Sequence, residues 1–232
     1  MFANYHTHTA RCHHATGEDK AYVEAAIQNG FQVLGFSDHC PWIFSDGYVS
    51  PIRMTPDELD GYVTSLTALK KEYAADITIY IGLESEYVPE MLPEQQKFLQ
   101  DYPIDYQILG EHFLYPEQRG IYTGRPTDNA AELKHYVDQV IAGMETGNYL
   151  YLAHPDLFHF IGDPALYEQE FRRLCVYLKE KQIPIEINQL GLADHRQYPN
   201  PAFLKIAESV GNTAIIGCDA HHPSALLDTD SQ

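Results

Sequence analysis

Met1-Phe2-Ala3-Asn4-Tyr5-His6-Thr7-His8 is the stretch from which the chain is best read. Its apolar start has the composition of a core strand, Phe2–His6, and it runs straight into two histidines placed two apart. In an extended segment side chains two apart point the same way, so both imidazoles can reach one cation. The arrangement recurs. Candidate strands follow at Val33–Ser37, Ile77–Leu83, Tyr106–Gly110, Tyr149–Ala153, Ile183–Ile187 and Thr213–Gly217, rich in Ile, Val, Tyr and Phe as buried parallel strands are. Several end in chemistry: Ser37-Asp38-His39, Gly82-Leu83-Glu84-Ser85-Glu86, Gly110-Glu111-His112, Ala153-His154-Pro155 and Gly217-Cys218-Asp219-Ala220-His221.

Helical patterns separate these strands: Asp19–Asn29, Pro56–Ala74, Pro93–Asp101, Asn129–Thr146, Ala165–Lys181 and Pro201–Val210. Thr55-Pro56 and Asn200-Pro201 set a capping residue before a proline, and Gly30 and Gly211 follow helix ends. Seven strands alternating with helices predict a parallel α/β architecture. In a barrel of that class the reactive side chains stand beyond the C-terminal ends of the strands. That is where the histidines and carboxylates fall.

Taken one at a time, each has an ordinary reading. A histidine at a strand end is commonly a satisfied structural residue, and Glu84 beside a glycine reads equally as an exposed acid. Taken together they do not, because packing alone gives no reason for strand after strand to deliver His, Asp or Glu to one end. His14, in the loop after the first strand, joins the set. A single zinc site needs three or four protein ligands. His6, His8, His14, His39, Glu84, His112, His154, Asp219 and His221 are too many for one, so more than one divalent cation is expected. Imidazole with carboxylate suits zinc, iron or manganese. His13 and His222 are read as pointing away, and His135 as solvated on its helix. His159 and His195, in loops, are read as either structural or substrate-facing.

Composition bounds the rest. The chain has 232 residues, 44% of them hydrophobic, enough for one compact domain over residues 1–232. A net charge of −18 argues against nucleic acid or an anionic membrane as main partner, since both need basic patches. It also means that a phosphorylated metabolite would need positive charge supplied locally. No stretch approaches the roughly 20 apolar residues of a membrane helix, and no signal peptide is read at the start. Cys12, Cys40, Cys175 and Cys218 form no CxxC pair and read as reduced thiols. A cytoplasmic protein is expected, and a homo-oligomer is compatible with the sequence.

The ordered set of His6-Thr-His8, His14, Asp38-His39, Gly-Leu-Glu84, Gly-Glu-His112, Ala-His154-Pro and Gly-Cys-Asp219-Ala-His221 resembles the PHP (polymerase and histidinol phosphatase) family of metal-dependent phosphoesterases. Within it, Glu186-Ile187-Asn188-Gln189-Leu190-Gly191-Leu192, followed by Tyr198-Pro199, is similar to the stand-alone histidinol-phosphatases. The resemblance implies a distorted (βα)7 barrel with a trinuclear centre at the C-terminal ends of the strands. One cation would take His6, His8, Glu84 and Asp219. A second would share Glu84 with His112 and His154, and a third would take His14, His39 and His221. Two departures stand out. Ala193 occupies a position where relatives often carry arginine, and the chain ends soon after His221, with Leu226–Gln232 too short for the last helix that relatives often have.

The resemblance further implies hydrolysis of L-histidinol phosphate, a step of histidine biosynthesis. Bridged cations would acidify a water and neutralise the phosphoryl oxygens. Asp219 or His221 would protonate the leaving alkoxide, and Glu84 would act as the shared ligand. Arg196, Arg125, Arg11 and Lys20 are candidate phosphate clamps. Asn188 is a candidate substrate contact, and Trp42, Phe44, Phe113 and Phe158 are candidate pocket walls. The alternatives are another small substrate, such as a sugar phosphate or short nucleotide, and a catalytically idle metal-binding module. The complete ligand set argues against the latter.

Overall fold

The computed structural model describes residues 2–226. The tail that the sequence marks as too short for a closing helix lies, from residue 227 onward, outside the described residues. The elements run in chain order β1 (Ala3–Asn4), α1 (Asp19–Gln28), β2 (Val33–His39), α2 (Leu59–Glu72), β3 (Thr78–Ser85), α3 (Leu92–Leu99), β4 (Tyr106–Leu109), α4 (Ala130–Glu145), α5 (Pro164–Glu180), β5 (Ile185–Asn188), α6 (Gln189–Ala193), α7 (Pro201–Val210) and β6 (Ala214–Gly217). This is an α/β fold in which β1, β2 and β3 pair in parallel. No helix among the described residues is long and apolar enough to cross a membrane. All four cysteines are buried, and none forms a disulfide.

The chain forms two compact units. Among the described residues, the first comprises 2–85, 89–107 and 217–226, and the second Glu86–Val88 and Ile108–Ile216. In the first unit β2 is buried along nearly its whole length, as a parallel strand covered on both faces should be. Its register with β3 runs from Val33 opposite Thr78 to His39 opposite Glu84. Leu34, Phe36, Ile79, Ile81 and Leu83 meet Tyr22, Tyr62 and Leu66 from α1 and α2 in one apolar core. On the sheet, Gly35 and Gly82 leave room for the Tyr106 ring, because a Cβ at either position would collide with it. The single Tyr106 hydroxyl proton is then shared between the carbonyls of Tyr5 (2.6 Å) and Phe36 (3.0 Å).

Two expectations are corrected in this unit. The first strand was expected through His6 and is only Ala3–Asn4. The Asn4 side chain takes over, accepting from the His6 N–H (3.3 Å) and the Cys218 N–H (2.8 Å) and donating to Thr7 Oγ1 (2.7 Å). Pairing resumes at Thr7, which bridges in parallel to Ala220. The Pro56–Ala74 helix opens with a 3-10 turn, Pro56–Glu58, where the Glu58 carboxylate accepts from the Thr55 N–H at 2.7 Å.

The second unit is built around Leu133, Tyr136, Val137 and Val140 of α4, Phe171, Leu174 and Leu178 of α5, and Phe203 and Ile206 of α7. Asn129, Asp163 and Asn200 cap α4, α5 and α7 by accepting from the N–H two residues on, at 2.9–3.0 Å. The expected strand Tyr149–Ala153 is not a regular strand. Only Leu152 bridges, to Leu109 and to Ile185. Pro184 accepts from the Leu152 N–H through its carbonyl but has no N–H to return, so the ladder on that side is short. The short helix α6 was not foreseen. Asn188 starts it by accepting from the Gly191 N–H at 3.0 Å.

Candidate metal centre

His6 and His8, held on alternate positions of an extended segment, bring their Nε2 atoms to 3.2 Å. Asp219 Oδ1 lies 3.4 Å from His6 Nε2 and 3.1 Å from His8 Nε2. Glu84 Oε2 lies 3.5 Å from each. These distances are five of the six edges of a tetrahedron. Donors at about 2.0–2.2 Å from a tetrahedral cation stand about 3.3–3.6 Å from one another, so the donor set fits such a cation with slight contraction. It is also buried, and it gathers two carboxylates, which repel each other unless positive charge lies between them.

A second donor group adjoins it. His39 Nδ1 lies 3.3 Å from Glu84 Oε2, as their pairing across β2 and β3 dictates. His14 Nε2 and His221 Nε2 are 3.0 Å apart. The ligand atoms of His14, His39 and His221 all lie within 4.8 Å of one another. Seven of the expected ligands are thus brought together inside the first unit.

Outer contacts decide which ring nitrogen each histidine offers. The Nδ1 of His8 faces Asp38 Oδ1 at 3.3 Å. A carboxylate only accepts, so the proton sits on Nδ1 and Nε2 presents its lone pair to the cluster. In the same way His14 Nδ1 donates to the Cys12 carbonyl (2.7 Å) and His221 Nδ1 to the Asp219 carbonyl (3.0 Å). Asp38 itself accepts from the backbone N–H of His39 (2.9 Å) and of Thr9 (3.2 Å), and from the Thr9 hydroxyl. The sequence reading quoted Asp38 and gave it no role. The signal was there: a carboxylate inside a buried strand needs a partner.

The electrostatics follow. Burial pushes the Asp219 carboxyl up, but His6, His8 and His221 outweigh it and hold it well below the usual carboxylate range. Burial, and then the neighbouring His8, lower the His221 imidazole to about 3. It is therefore neutral at physiological pH, the form a ligand needs. Asp219 also adopts the left-handed backbone region, with φ 50°. Non-glycine residues seldom do so, and such strain tends to gather at functional sites.

His112 and His154 belong to the second unit. There His112 Nδ1 donates to Glu86 Oε1 at 3.0 Å, which puts the ring lone pair on Nε2. The two rings sit edge to face with centroids 5.1 Å apart. His154 is likewise left-handed, φ 65°, immediately before Pro155. Glu86, quoted in the sequence reading without a role of its own, orients His112. Glu111 is buried, and burial raises its carboxyl well above the ordinary range while the Tyr87 N–H pulls it down. It accepts from Gln139 at 2.8 Å and from the Tyr87 N–H at 3.1 Å. Neither role was foreseen.

The candidate substrate contacts fare differently. Arg125 makes two 2.9 Å bonds to Glu132, Arg11 is bound to both oxygens of Asp19, and Lys20 pairs with Glu72 at 2.7 Å. Arg196 is exposed and pairs with Asp194 at 2.8 Å. It also donates to the Tyr198 hydroxyl at 3.2 Å. The Tyr198 ring lies 6.1 Å from that of His154. Asn188 caps α6 and donates to Glu186 at 2.9 Å. Trp42 is buried, while Phe44 packs edge-on against Tyr48. Phe113 bridges to Tyr122, and Phe158 is a core residue stacked on Tyr136. His135 is not solvated as expected, because Tyr115 stacks on it and its Nε2 lies 2.9 Å from the Leu114 carbonyl. His13 pairs with Glu58 and His222 with Ser224. His195 is exposed, and His159 is held by its backbone to Thr123 and Thr127.

Comparison with known proteins places this arrangement. The chain is 28% identical to a probable histidinol-phosphatase of Deinococcus radiodurans, over 95% of this chain and 86% of that protein. The putative histidinol phosphatase HisK of Listeria monocytogenes superposes with a TM-score of 0.78 at 21% identity, covering 99% of this chain and 98% of that one. Histidinol phosphate phosphatase of Lactococcus lactis, solved with zinc, L-histidinol and phosphate, gives 0.71 at 20%, covering 96% and 87%. At those identities the two structures speak for the fold. Residues 4–190 match the PHP domain, and the chain belongs to that family.

Proposed function

We propose that this chain is a metal-dependent phosphoric monoester hydrolase, one domain over residues 1–232, that converts L-histidinol phosphate to L-histidinol and phosphate. The observation that carries the reading is the near-tetrahedral set of His6, His8, Glu84 and Asp219. The full ligand set is completed by His14, His39 and His221 and by His112 and His154, for three divalent cations. The relatives named above support the substrate. Bound cations supply Lewis-acid neutralisation of the phosphoryl oxygens and acidify water. The chain's own residues do the remainder. Asp38 and the Cys12 carbonyl hold His8 and His14 in the tautomer that faces the cluster, and Glu86 does so for His112. Asp219, held ionised beside the largely buried His221, would take a proton from the attacking water and pass it to the leaving alkoxide. Arg196 provides the cationic partner for phosphate.

A phosphate-release screen tests this, using purified protein loaded with zinc, iron or manganese against histidinol phosphate, sugar phosphates and short nucleotides. Histidinol phosphate is expected to give the highest kcat/KM. A second reading, another small phosphomonoester, is favoured by Ala193 and by the pairing of Arg196 with Asp194. Preference for a sugar phosphate or nucleotide in the screen would replace the first reading with it. Absence of hydrolysis with cations bound would leave the idle metal-binding module.

A further inference from the structure

Glu111 stands immediately before His112, and its side chain is buried. Its Oε1 accepts from Gln139 Nε2 of α4 at 2.8 Å, and its Oε2 from the Tyr87 N–H at 3.1 Å. No cationic side chain among the described residues pairs with it. A buried carboxylate so placed costs stability, so packing alone does not account for it. What it holds is the peptide next to Glu86. Gln139 Nε2 also donates to the Tyr87 carbonyl at 3.0 Å, so both polar backbone groups of residue 87 are taken. The Tyr149 hydroxyl donates to the Glu86 carbonyl at 3.1 Å. The result is a reciprocal brace between two pairs of chain neighbours. Glu86 reaches with its side chain to His112 Nδ1 at 3.0 Å, and Glu111 reaches back with its own to the Tyr87 N–H. On the other side the Thr123 hydroxyl proton is shared between the carbonyls of Glu111 (2.9 Å) and His112 (3.1 Å).

We propose that Glu111 is a positioning residue for the cation held by His112 and His154: it fixes the backbone of Glu86 and Tyr87, and so sets the direction in which Glu86 turns His112 Nε2. The inference rests on the metal-centre reading above and deepens it. A carboxylate can do this and an amide cannot. Both of its oxygens accept, and both of its partners donate. With glutamine at position 111, one of those oxygens becomes an NH2 group that faces a donor. Either the Tyr87 N–H loses its acceptor, or Gln139 turns over and releases the Tyr87 carbonyl. The peptide of residue 87 loses one of its two anchors in both cases, and the Glu86–His112 bond shifts with it.

Zinc affinity, read by titration with a competing chelator, tests this through a double-mutant cycle. Glu86→Ala and Glu111→Gln are each expected to weaken the binding of one cation by about 10–100-fold, the scale of losing a group that orients a ligand, with the remaining cations held as before. The double variant is expected to bind that cation no more weakly than Glu86→Ala alone, because Glu111 acts through Glu86. Gln139→Leu releases the same peptide from α4. It is expected to weaken the same cation and to add nothing on top of Glu86→Ala, so it carries the cycle if Glu111→Gln does not fold. Losses that multiply in the double variant, or unchanged affinity in the single one, overturn the role of Glu111 and leave the metal centre standing. A wild-type chain that takes up no zinc overturns both.

Discussion

The ends of β2 and β3 and the loop after α6 both carry residues expected at a catalytic centre, and the two regions hold them in opposite ways. At the strand ends the backbone does the positioning. Parallel register sets His39 opposite Glu84, and Asp38, facing His8, is anchored by two backbone N–H groups. In the loop after α6, Arg196 sits on a long, exposed side chain and pairs with Asp194, two residues away. The first region binds through groups that cannot relax elsewhere. The second supplies a charge that must leave one partner for another.

The comparison can be broken, beginning with the largest effect. Stripping cations with a chelator should abolish phosphate release. It should also lower the thermal midpoint, since cations held at about a thousand times their Kd stabilise the fold by about 4 kcal/mol. Unchanged unfolding after chelation would mean that the buried donors do not hold cations at all. Next, Glu84→Gln should reduce phosphate release roughly 1,000-fold and lower the measured cation content, because it removes the charge that faces His6, His8 and His39. Glu86→Gln should cost about 10–100-fold, the scale of losing a group that orients a ligand. Equal losses in the two variants would erase the distinction drawn between these carboxylates. Asp38→Asn should weaken cation affinity by about 10–100-fold for the same reason, read by titration with a competing chelator.

The smallest effect belongs to the loop. An exposed ion pair such as Arg196–Asp194 is worth about 0–1 kcal/mol, whereas a charge-assisted bond to phosphate is worth about 1.5–3 kcal/mol, so the arginine is free to exchange partners. Arg196→Ala should lower kcat/KM by roughly tenfold with cation content unchanged. If Ala193→Arg raises histidinol phosphate hydrolysis sharply while Arg196→Ala leaves it untouched, the chain's substrate is the other small phosphomonoester.

The same contrast explains what was legible in the sequence. His6 and His8 were readable because extended backbone alternates strictly, and Glu84 because it follows the strand-like run Ile79-Tyr80-Ile81-Gly82-Leu83. Helices α1, α4, α5 and α7 were readable to within a residue or two, and local side-chain caps mark the starts of the last three. The interior of β1 was not. Asn4 replaces ladder bonds with side-chain bonds to His6, Thr7 and Cys218, and the last lies far away in sequence. Nor was Glu86 readable as the partner of His112, because that bond joins residues 26 apart along the chain. Arg196 could be placed in the right loop but not assigned a partner, since long side chains are placed by competition among nearby charges and not by pattern.

Tyr106 has a consequence for how this chain can change over time. Its ring fills the space above Gly35 and Gly82, and its hydroxyl joins the carbonyls of Tyr5 and Phe36. Alanine at either glycine collides with the ring, and a smaller residue at 106 leaves a void over two bare stretches of strand. The three positions are therefore epistatic. Each single step is penalised, and only a concerted replacement crosses to another solution. Gly82 lies two residues before Glu84 on β3, so a drift at residue 106, a position with no chemistry of its own, would be felt at the carboxylate on which the cluster depends.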